Sequence, residues 1–218
     1  MIGTLEIKNF KSIKQLKLDC KRINILIGEP NTGKSNILEA LGILSWAISW
    51  PPISLAVFVR FERVSDLFSD GGLDERVEIG ADDMTLRIEF KDGSFRGTFW
   101  QKERQLAWRF DGNYADLMNR GGGSPGELLP VKFYRFAPQT SFPRQESEFL
   151  LPPFGANLMT MLLRHKELRA TAQHLFSSSG LRLGLRLQEG KIEVIKEMEP
   201  VIASYPYSLA SDTLQRLV

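Results

Sequence analysis

The segment Gly28-Glu-Pro-Asn-Thr-Gly33-Lys34-Ser35 constrains this chain more than any other part of its sequence, because it fits G-x-x-x-x-G-K-[ST] at every fixed position. The apolar run Ile23-Asn-Ile-Leu-Ile27 precedes it and is typical of a strand buried on both faces of a sheet. From Asn36 onwards, apolar residues follow at helical spacing, namely Ile37, Leu41, Leu44 and Ile48. Strand, glycine loop and helix in this order predict a phosphate-binding loop.

The residue types of this loop suit a nucleotide phosphate. Glycines let the backbone curl so that its N–H groups point inward, and the start of the following helix adds a partial positive charge. Lys34 is expected to reach the β- and γ-phosphates and to assist catalysis, while the hydroxyl of Ser35 binds Mg²⁺. The alternative is a glycine turn with a solvated lysine. The predicted ATP-binding residues are Gly28, Asn31, Thr32, Gly33, Lys34, Ser35 and Asn36.

Hydrolysis needs an acidic residue that holds the metal or orients the attacking water, and this residue usually ends a second buried strand. The nearest apolar run after the loop is Leu55-Ala-Val-Phe-Val59, but Arg60 and Phe61 separate it from Glu62. Glu62 therefore fits poorly, and an ordinary strand or helix position is the alternative for it. Whether this chain hydrolyses ATP by itself stays open at this point.

The remaining sequence predicts antiparallel β-structure followed by a helical region. Alternating apolar and polar residues predict strands that lie mostly in hairpins: Leu5–Ile7 with Ile13–Leu18, then Met84–Phe90, Ser94–Trp100, Gln105–Phe110 and Val131–Phe136. Composition indicates a flexible loop over Asn119–Gly126. A helix in two pieces is expected over Asn157–Phe176, and a last hairpin over Leu181–Val194 turns at Glu189-Gly190.

Charge and composition exclude several classes of protein. Lys and Arg total 28 against 26 Asp and Glu, so the net charge of +2 provides no strong field for a membrane surface or nucleic acid, and DNA contact has to be local. Ala40–Val59 lacks charge over nearly the length of a bilayer span, but Pro51-Pro52 interrupts it, so we expect a buried helix and turn and no membrane segment. A single cysteine, Cys20, and a start without a secretory signal indicate the cytoplasm.

Three further stretches carry a resemblance to a known group of ATPases. Leu5-Glu-Ile-Lys-Asn-Phe-Lys11-Ser12, together with the phosphate loop, resembles the N-terminal part of SMC/RecF-like ATPases, which belong to the ABC superclass. Leu151-Pro-Pro-Phe-Gly-Ala-Asn-Leu158 resembles the segment that opens the helical lobe in that group. Ser208-Leu-Ala-Ser-Asp-Thr-Leu-Gln-Arg216 resembles the degenerate ABC signature of OLD-like and RecF-like proteins. Of all these motifs, only the phosphate loop is specific by itself.

The resemblance implies roles for three residues outside the loop. Lys11 follows the first strand and is expected to approach the nucleotide phosphates, with a solvated hairpin lysine as the alternative. Gln139 is the best match for the Q-loop glutamine, which senses the metal and the attacking water, although a plain turn glutamine is the alternative. Ser211 in the signature is expected to contact the γ-phosphate held by a second head, and a helix N-cap is its alternative role.

The resemblance also implies the fold, an α/β P-loop NTPase of ABC-ATPase-head type, with an incomplete parallel core sheet, an antiparallel β layer and a helical lobe. One head is expected, with the P-loop core and β layer in residues 1–137 and the helical lobe, final hairpin and signature in residues 138–218. The family's Walker B strand and catalytic glutamate follow the signature, and no residue here corresponds to them. We therefore expect the N-terminal portion of a longer or split ATPase.

The function implied by the resemblance is ATP-driven dimerisation of heads, coupled to work on DNA in repair or defence. The expected partners are ATP, a second copy or a C-terminal complement that carries Walker B, and DNA. Two alternatives remain: the nucleotide-binding subunit of an ABC transporter, and a catalytically silent scaffold that responds to ATP. The Asn9-Phe-Lys-Ser12 motif and the degenerate signature argue against the transporter, whereas the absent acid favours the scaffold for the chain in isolation.

Overall fold

The computed structural model describes residues 1–47, 54–111, 114–120 and 131–217. The chain divides into two compact units, Met1–Phe133 and Tyr134–Val218, whereas the sequence placed the division after residue 137. Within the described residues, the first unit holds a seven-stranded sheet with one α-helix, and the second holds a three-stranded sheet with three α-helices. The expected mixed α/β class is therefore confirmed.

The first unit is built on an antiparallel sheet in the order β2-β1-β3-β4-β5-β6-β7. Its elements are β1 (Thr4–Phe10), β2 (Ile13–Asp19), α1 (Lys34–Ala47), β3 (Val77–Ala81), β4 (Met84–Lys91), β5 (Ser94–Gln101), β6 (Arg104–Asp111) and β7 (Tyr114–Arg120). Short 3₁₀ turns lie between α1 and β3, at Leu55–Val57, Val64–Leu67 and Ser69–Gly71. The N-terminal hairpin, the helix after the glycine loop and strands β4 to β6 agree with the sequence predictions, while β3 and β7 were not predicted.

The core of this unit follows from the register of the strands. Directly paired apolar residues form a row across five strands, from Ile7 through Ile79, Leu86 and Phe99 to Leu106. Because side chains alternate between the two faces of a strand, this row lies on one face. The buried side of α1, which includes Ala40, Ile43 and Leu44, belongs to the same hydrophobic core. Packing against the sheet therefore holds the helix that starts at the glycine loop.

Asp82, in the turn between β3 and β4, fastens the start of the chain. Its carboxylate accepts hydrogen bonds from the backbone N–H groups of Gly3 (3.0 Å) and Thr4 (2.9 Å). These bonds favour the charged form, so they lower the pKa of Asp82 from its usual value of 3.8. The first strand is thus tied to the sheet by a charged group as well as by its ladders.

The parallel core sheet expected from the sequence is not found among the described residues, whose two sheets are antiparallel throughout. Ile23–Ile27 was predicted as a doubly buried strand, but it joins no described sheet, and its three isoleucine side chains are 76 to 88% exposed. A strand needs a hydrogen-bonding neighbour and a covering layer, and no described segment supplies either one. This prediction is therefore wrong for the chain by itself.

The strand predicted over Val131–Phe136 is also absent, because its backbone is bonded elsewhere. The N–H of Phe133 donates to the Ser45 hydroxyl on α1 (3.1 Å), and the N–H of Arg135 donates to the carbonyl of Pro153 (2.8 Å). Neither acceptor belongs to a strand. The backbone N–H groups of this segment thus donate to a helix side chain and to a loop carbonyl, and they form no ladder with a neighbouring strand.

The second unit packs helices against a small sheet. It contains α2 (Leu158–Arg164), α3 (Lys166–Ser177), β8 (Leu181–Arg186), β9 (Lys191–Met198), β10 (Val201–Pro206) and α4 (Asp212–Leu217), with the strands in the order β10-β9-β8. Its core includes Phe142, Met159, Phe176, Val194 and Tyr207. The two-piece helix and the hairpin at Glu189-Gly190 are confirmed, whereas β10 was not predicted and adds a third strand to that hairpin.

Within the described residues, no helix combines the length and apolar character needed to cross a bilayer. The uncharged run Ala40–Val59 instead contributes the buried end of α1 and the turn at Leu55–Val57. Its Pro51-Pro52 pair lies outside the described residues, as do residues 121–130, which hold most of the predicted glycine-rich loop. Glu62 is exposed and follows no strand, so it does not occupy the position of an acid at a strand end.

Candidate functional site

The glycine loop takes the backbone shape that its residue types favour. Asn31 and Gly33 adopt left-handed conformations, with φ of +62° and +85°. Asparagine and glycine are the residues that accept such angles most readily. Helix α1 begins at the next residue, Lys34, and the carbonyl of Gly33 accepts the N–H groups of Asn36 (2.9 Å) and Ile37 (3.2 Å). The loop therefore turns sharply into the start of a helix.

The N–H groups of Gly33, Lys34 and Ser35 have no acceptor within the part of the chain that the structure describes. Backbone donors without partners at a helix start attract anions, because the helix dipole adds partial positive charge there. The ammonium of Lys34 folds back over the loop, where it donates to the Glu29 carbonyl and to the Thr32 hydroxyl (3.0 Å). The side chain of Ser35 is exposed beside these groups. The arrangement fits a phosphate group and its metal ion.

The two-residue turn of the N-terminal hairpin contacts this loop. The side-chain amide of Asn36 donates to the Ser12 hydroxyl (2.8 Å), and a Cβ at Gly33 would lie 3.1 Å from the same oxygen. Ser12 therefore touches both the last glycine of the loop and the first turn of α1. The sequence did not single out Ser12 as a site residue, although it belongs to the motif that precedes the loop.

Lys11, the other residue of that turn, contacts α1 one turn further along. Its ammonium donates to the carboxylate of Glu39 and to the carbonyl of Arg60, and the Arg60 guanidinium donates to the other Glu39 oxygen (2.6 Å). The side chains of Lys11 and Glu39 are 14 and 8% exposed. Lys11 is thus a paired and largely buried cation, which differs from the solvated hairpin lysine considered as its alternative. Its contact with phosphate stays a prediction.

Gln139 and Ser211 belong to the second unit. Gln139 is half-buried, donates to the carbonyl of Ala137 (3.3 Å) and lines a depression with Lys191 and Ser208. The Ser211 hydroxyl accepts the N–H of Leu214 (3.4 Å), which is the N-cap geometry at the start of α4. The roles that the resemblance implies for these two residues stay predictions.

In the first unit, the structure brings together the predicted loop residues Gly28 to Asn36 and the hairpin residue Lys11. It adds Ser12, Glu39 and Arg60, which sequence reasoning missed. The available signal for Glu39 was its position among apolar residues of the helix, because a buried carboxylate requires a cationic partner. No sequence spacing indicates Arg60, which reaches Glu39 only through the fold.

Comparison with known proteins identifies the N-terminal part of the chain. Residues 1–95 match the family model of an AAA ATPase domain. The chain is 52% identical over 86 residues to an "ATP/GTP phosphatase" of Helicobacter pylori, and 37% identical over 62 residues to the "DNA replication and repair protein RecF" of Staphylococcus epidermidis. It is also 22% identical over 179 residues to the RecF protein of Bacillus cytotoxicus. The resemblance to SMC/RecF-like ATPases, drawn from the motifs, is confirmed.

These similarities cover parts of longer proteins. The matched segments represent 36, 28 and 74% of this chain, and 23, 17 and 47% of the three relatives in the same order. The chain therefore spans less than half the length of each of these relatives. The activities of those whole proteins are therefore assigned to this chain only as a proposal.

Proposed function

We propose that this chain, an SMC/RecF-like AAA ATPase in its N-terminal part, binds Mg·ATP as the nucleotide-binding portion of an ABC-type ATPase head that acts on DNA in the cytoplasm. The single observation that carries the proposal is that the N–H groups of Gly33, Lys34 and Ser35, at the start of α1, have no acceptor among the described residues. Together with the ammonium of Lys34, these donors form a cationic end of the loop that suits the triphosphate.

Each loop residue has a role in this proposal. The Lys34 ammonium exchanges the Glu29 carbonyl for oxygens of the β- and γ-phosphates. The exposed hydroxyl of Ser35 is placed to hold Mg²⁺, which supplies charge neutralisation at the phosphates when it is bound. Asn31 and Thr32 complete the cradle through their backbone. Gln139 and Ser211 are proposed to act on the metal and on a second head's γ-phosphate.

The exposed isoleucines before the loop support a protein partner. Ile23, Ile25 and Ile27 are 76 to 88% exposed, which leaves three large apolar side chains close together in the sequence in contact with water. A segment that carries a further strand would cover these side chains and pair with the backbone that carries them. The greater length of the relatives supports a C-terminal complement as that partner, and we propose that it also supplies the Walker B acid.

Hydrolysis and dimerisation follow from the same proposal. In the described hairpin beside the loop, β2 ends in Asp19, but this acid lies at the end of the hairpin opposite the turn that contacts the loop. We therefore expect this chain alone to bind ATP and to hydrolyse it slowly. With the complement present, two heads are proposed to close on ATP, with Ser211 facing the partner's nucleotide. The printed names of the RecF relatives support DNA as the macromolecule that such heads act on.

The test is calorimetric titration of Mg·ATP into the chain and into the variant Lys34→Ala. We expect saturable binding that is weakened about ten- to a hundredfold in the variant, since a charge-assisted contact contributes about 1.5–3 kcal/mol. Lys14→Ala is the matched control, because Lys14 lies on the same hairpin as Ser12 but is exposed, and its ion pair among the described residues is with the exposed Asp70 (3.3 Å). Equal affinity in wild type and Lys34→Ala would remove the loop as the ATP site.

A further inference from the structure

The ion pair between Lys11 and Glu39 joins the hairpin turn to the helix that follows the phosphate loop. Glu39 lies five residues after Lys34, which places it about 7.5 Å along the helix axis from the start of α1. Lys11 adjoins Ser12, the residue in contact with Gly33 and Asn36. The backbone of Lys11 is therefore next to the residue that contacts the loop. Its flexible four-carbon side chain allows the ammonium to reach either Glu39 or a group bound at the loop.

Two cations share the carboxylate of Glu39. One of its oxygens accepts a hydrogen bond from Lys11, and the other accepts one from Arg60. Arg60 is largely solvated, with a side chain 64% exposed, whereas Lys11 is mostly buried. Glu62 and Asp66 line a surface depression together with Lys11 and Arg60. Among the described residues, neither carboxylate forms an ion pair with Lys11 or Arg60. Loss of Lys11 would therefore leave Glu39 still paired with Arg60.

We propose that Glu39 is a positioning residue that holds Lys11 until nucleotide binds, when the Lys11 ammonium transfers from the Glu39 carboxylate to a phosphate oxygen. Arg60 stays on Glu39 and keeps the buried carboxylate compensated after Lys11 leaves. A buried carboxylate without a partner is strongly unfavourable, so this second cation makes the exchange feasible. The inference rests on the proposed function, since the acceptor of Lys11 is the nucleotide bound at the loop.

The exchange predicts that replacing Glu39 and replacing Arg60 change the affinity for Mg·ATP in opposite directions. In Glu39→Gln, Lys11 no longer has to leave an ion pair, so Mg·ATP should bind about three- to tenfold more tightly. In Arg60→Met, Lys11 becomes the only cation on Glu39, so Mg·ATP should bind more weakly by a similar factor. Lys11→Met should weaken binding as well, and adding Glu39→Gln to it should change nothing further. Lys14→Ala, away from this cluster, should match the wild type.

Calorimetric titration of Mg·ATP into the wild type, these five variants and Lys34→Ala tests the proposal. A purely structural role of Glu39 gives the opposite result, because Glu39→Gln then weakens binding or acts equally in the Lys11→Met background. If Glu39→Gln does not fold, the affinity of Arg60→Met for Mg·ATP tests the exchange, since an exposed guanidinium supports little of the core. Unchanged or tighter binding of Mg·ATP by Arg60→Met overturns the exchange. Lys34-dependent binding without these opposite changes in affinity refutes the exchange alone. Absence of Lys34-dependent binding in the wild type overturns both proposals.

Discussion

Replacement of Gly33 by alanine separates the loop's backbone shape from its contact with the hairpin. The left-handed conformation at φ +85° costs an alanine about 1–2 kcal/mol. The new methyl group also lies 3.1 Å from the Ser12 hydroxyl, so Ser12 has to shift and its bond with Asn36 weakens, at a further cost of about 1 kcal/mol. We expect Gly33→Ala to lose about 2–3 kcal/mol of unfolding free energy and to bind Mg·ATP at least about tenfold more weakly.

Gly71→Ala is the matched control for this variant. Gly71 lies in the same unit with φ +70°, but a Cβ there meets nothing within 4 Å. It should lose only the conformational cost of about 1–2 kcal/mol and should keep its ATP affinity. Urea unfolding and calorimetric titration of both variants give the comparison. If Gly33→Ala binds Mg·ATP as tightly as Gly71→Ala, the loop geometry does not determine nucleotide binding and the reasoning is refuted.

Two further predictions concern the sheet that supports α1. Gly97→Ala should destabilise the chain by about 2–3 kcal/mol in urea unfolding, because its Cβ would lie 2.1 Å from the buried Trp108 ring. Gly80→Ala, whose Cβ has no neighbour nearer than 3.8 Å, should cost much less, and equal losses would contradict the argument. Asp82→Asn should lower the melting temperature at pH 7, and its difference from wild type should shrink below pH 3.8. The reason is that the hydrogen bonds that lower the pKa of Asp82 stabilise the folded chain only while this carboxyl group is charged. A difference that is constant from pH 7 to pH 2.5 would rule out this charge effect.

Local patterns predicted the elements that sequence neighbours stabilise. The hairpin of β1 and β2, the strands β4 to β6 and the two-piece helix show clear alternation or helical spacing, and each pairs with or follows its neighbour in the chain. β3 was missed because it is short and contains Gly80, and its pairing with β1 is not local. Ile23–Ile27 has the composition of a central strand, but composition does not supply the neighbours that a strand needs.

The candidate site divides in the same way. The loop residues Gly28 to Ser35 could be predicted because their function fixes both their type and their spacing. Glu39 and Arg60 could not, because a carboxylate and a guanidinium that meet through the fold leave no pattern in the chain. Lys11 was expected near phosphate, and the structure adds the partner that holds it. Sequence therefore indicates where a ligand binds more readily than which charges control it.

The ladders of the large sheet set an order for folding. From β3 to β7, every strand pairs with its successor across a short turn, but β1 pairs with β3 through Leu5 and Ala81. Closing that long connection costs about 3 kcal/mol more entropy than closing a hairpin turn. The connection contains Lys34 and its helix, whose Trp46 packs against Trp108 and Phe110 of β6, so the helix gains its packing surface only after β6 has emerged from the ribosome. We therefore expect the nucleotide loop to be synthesised early and to take its final shape late.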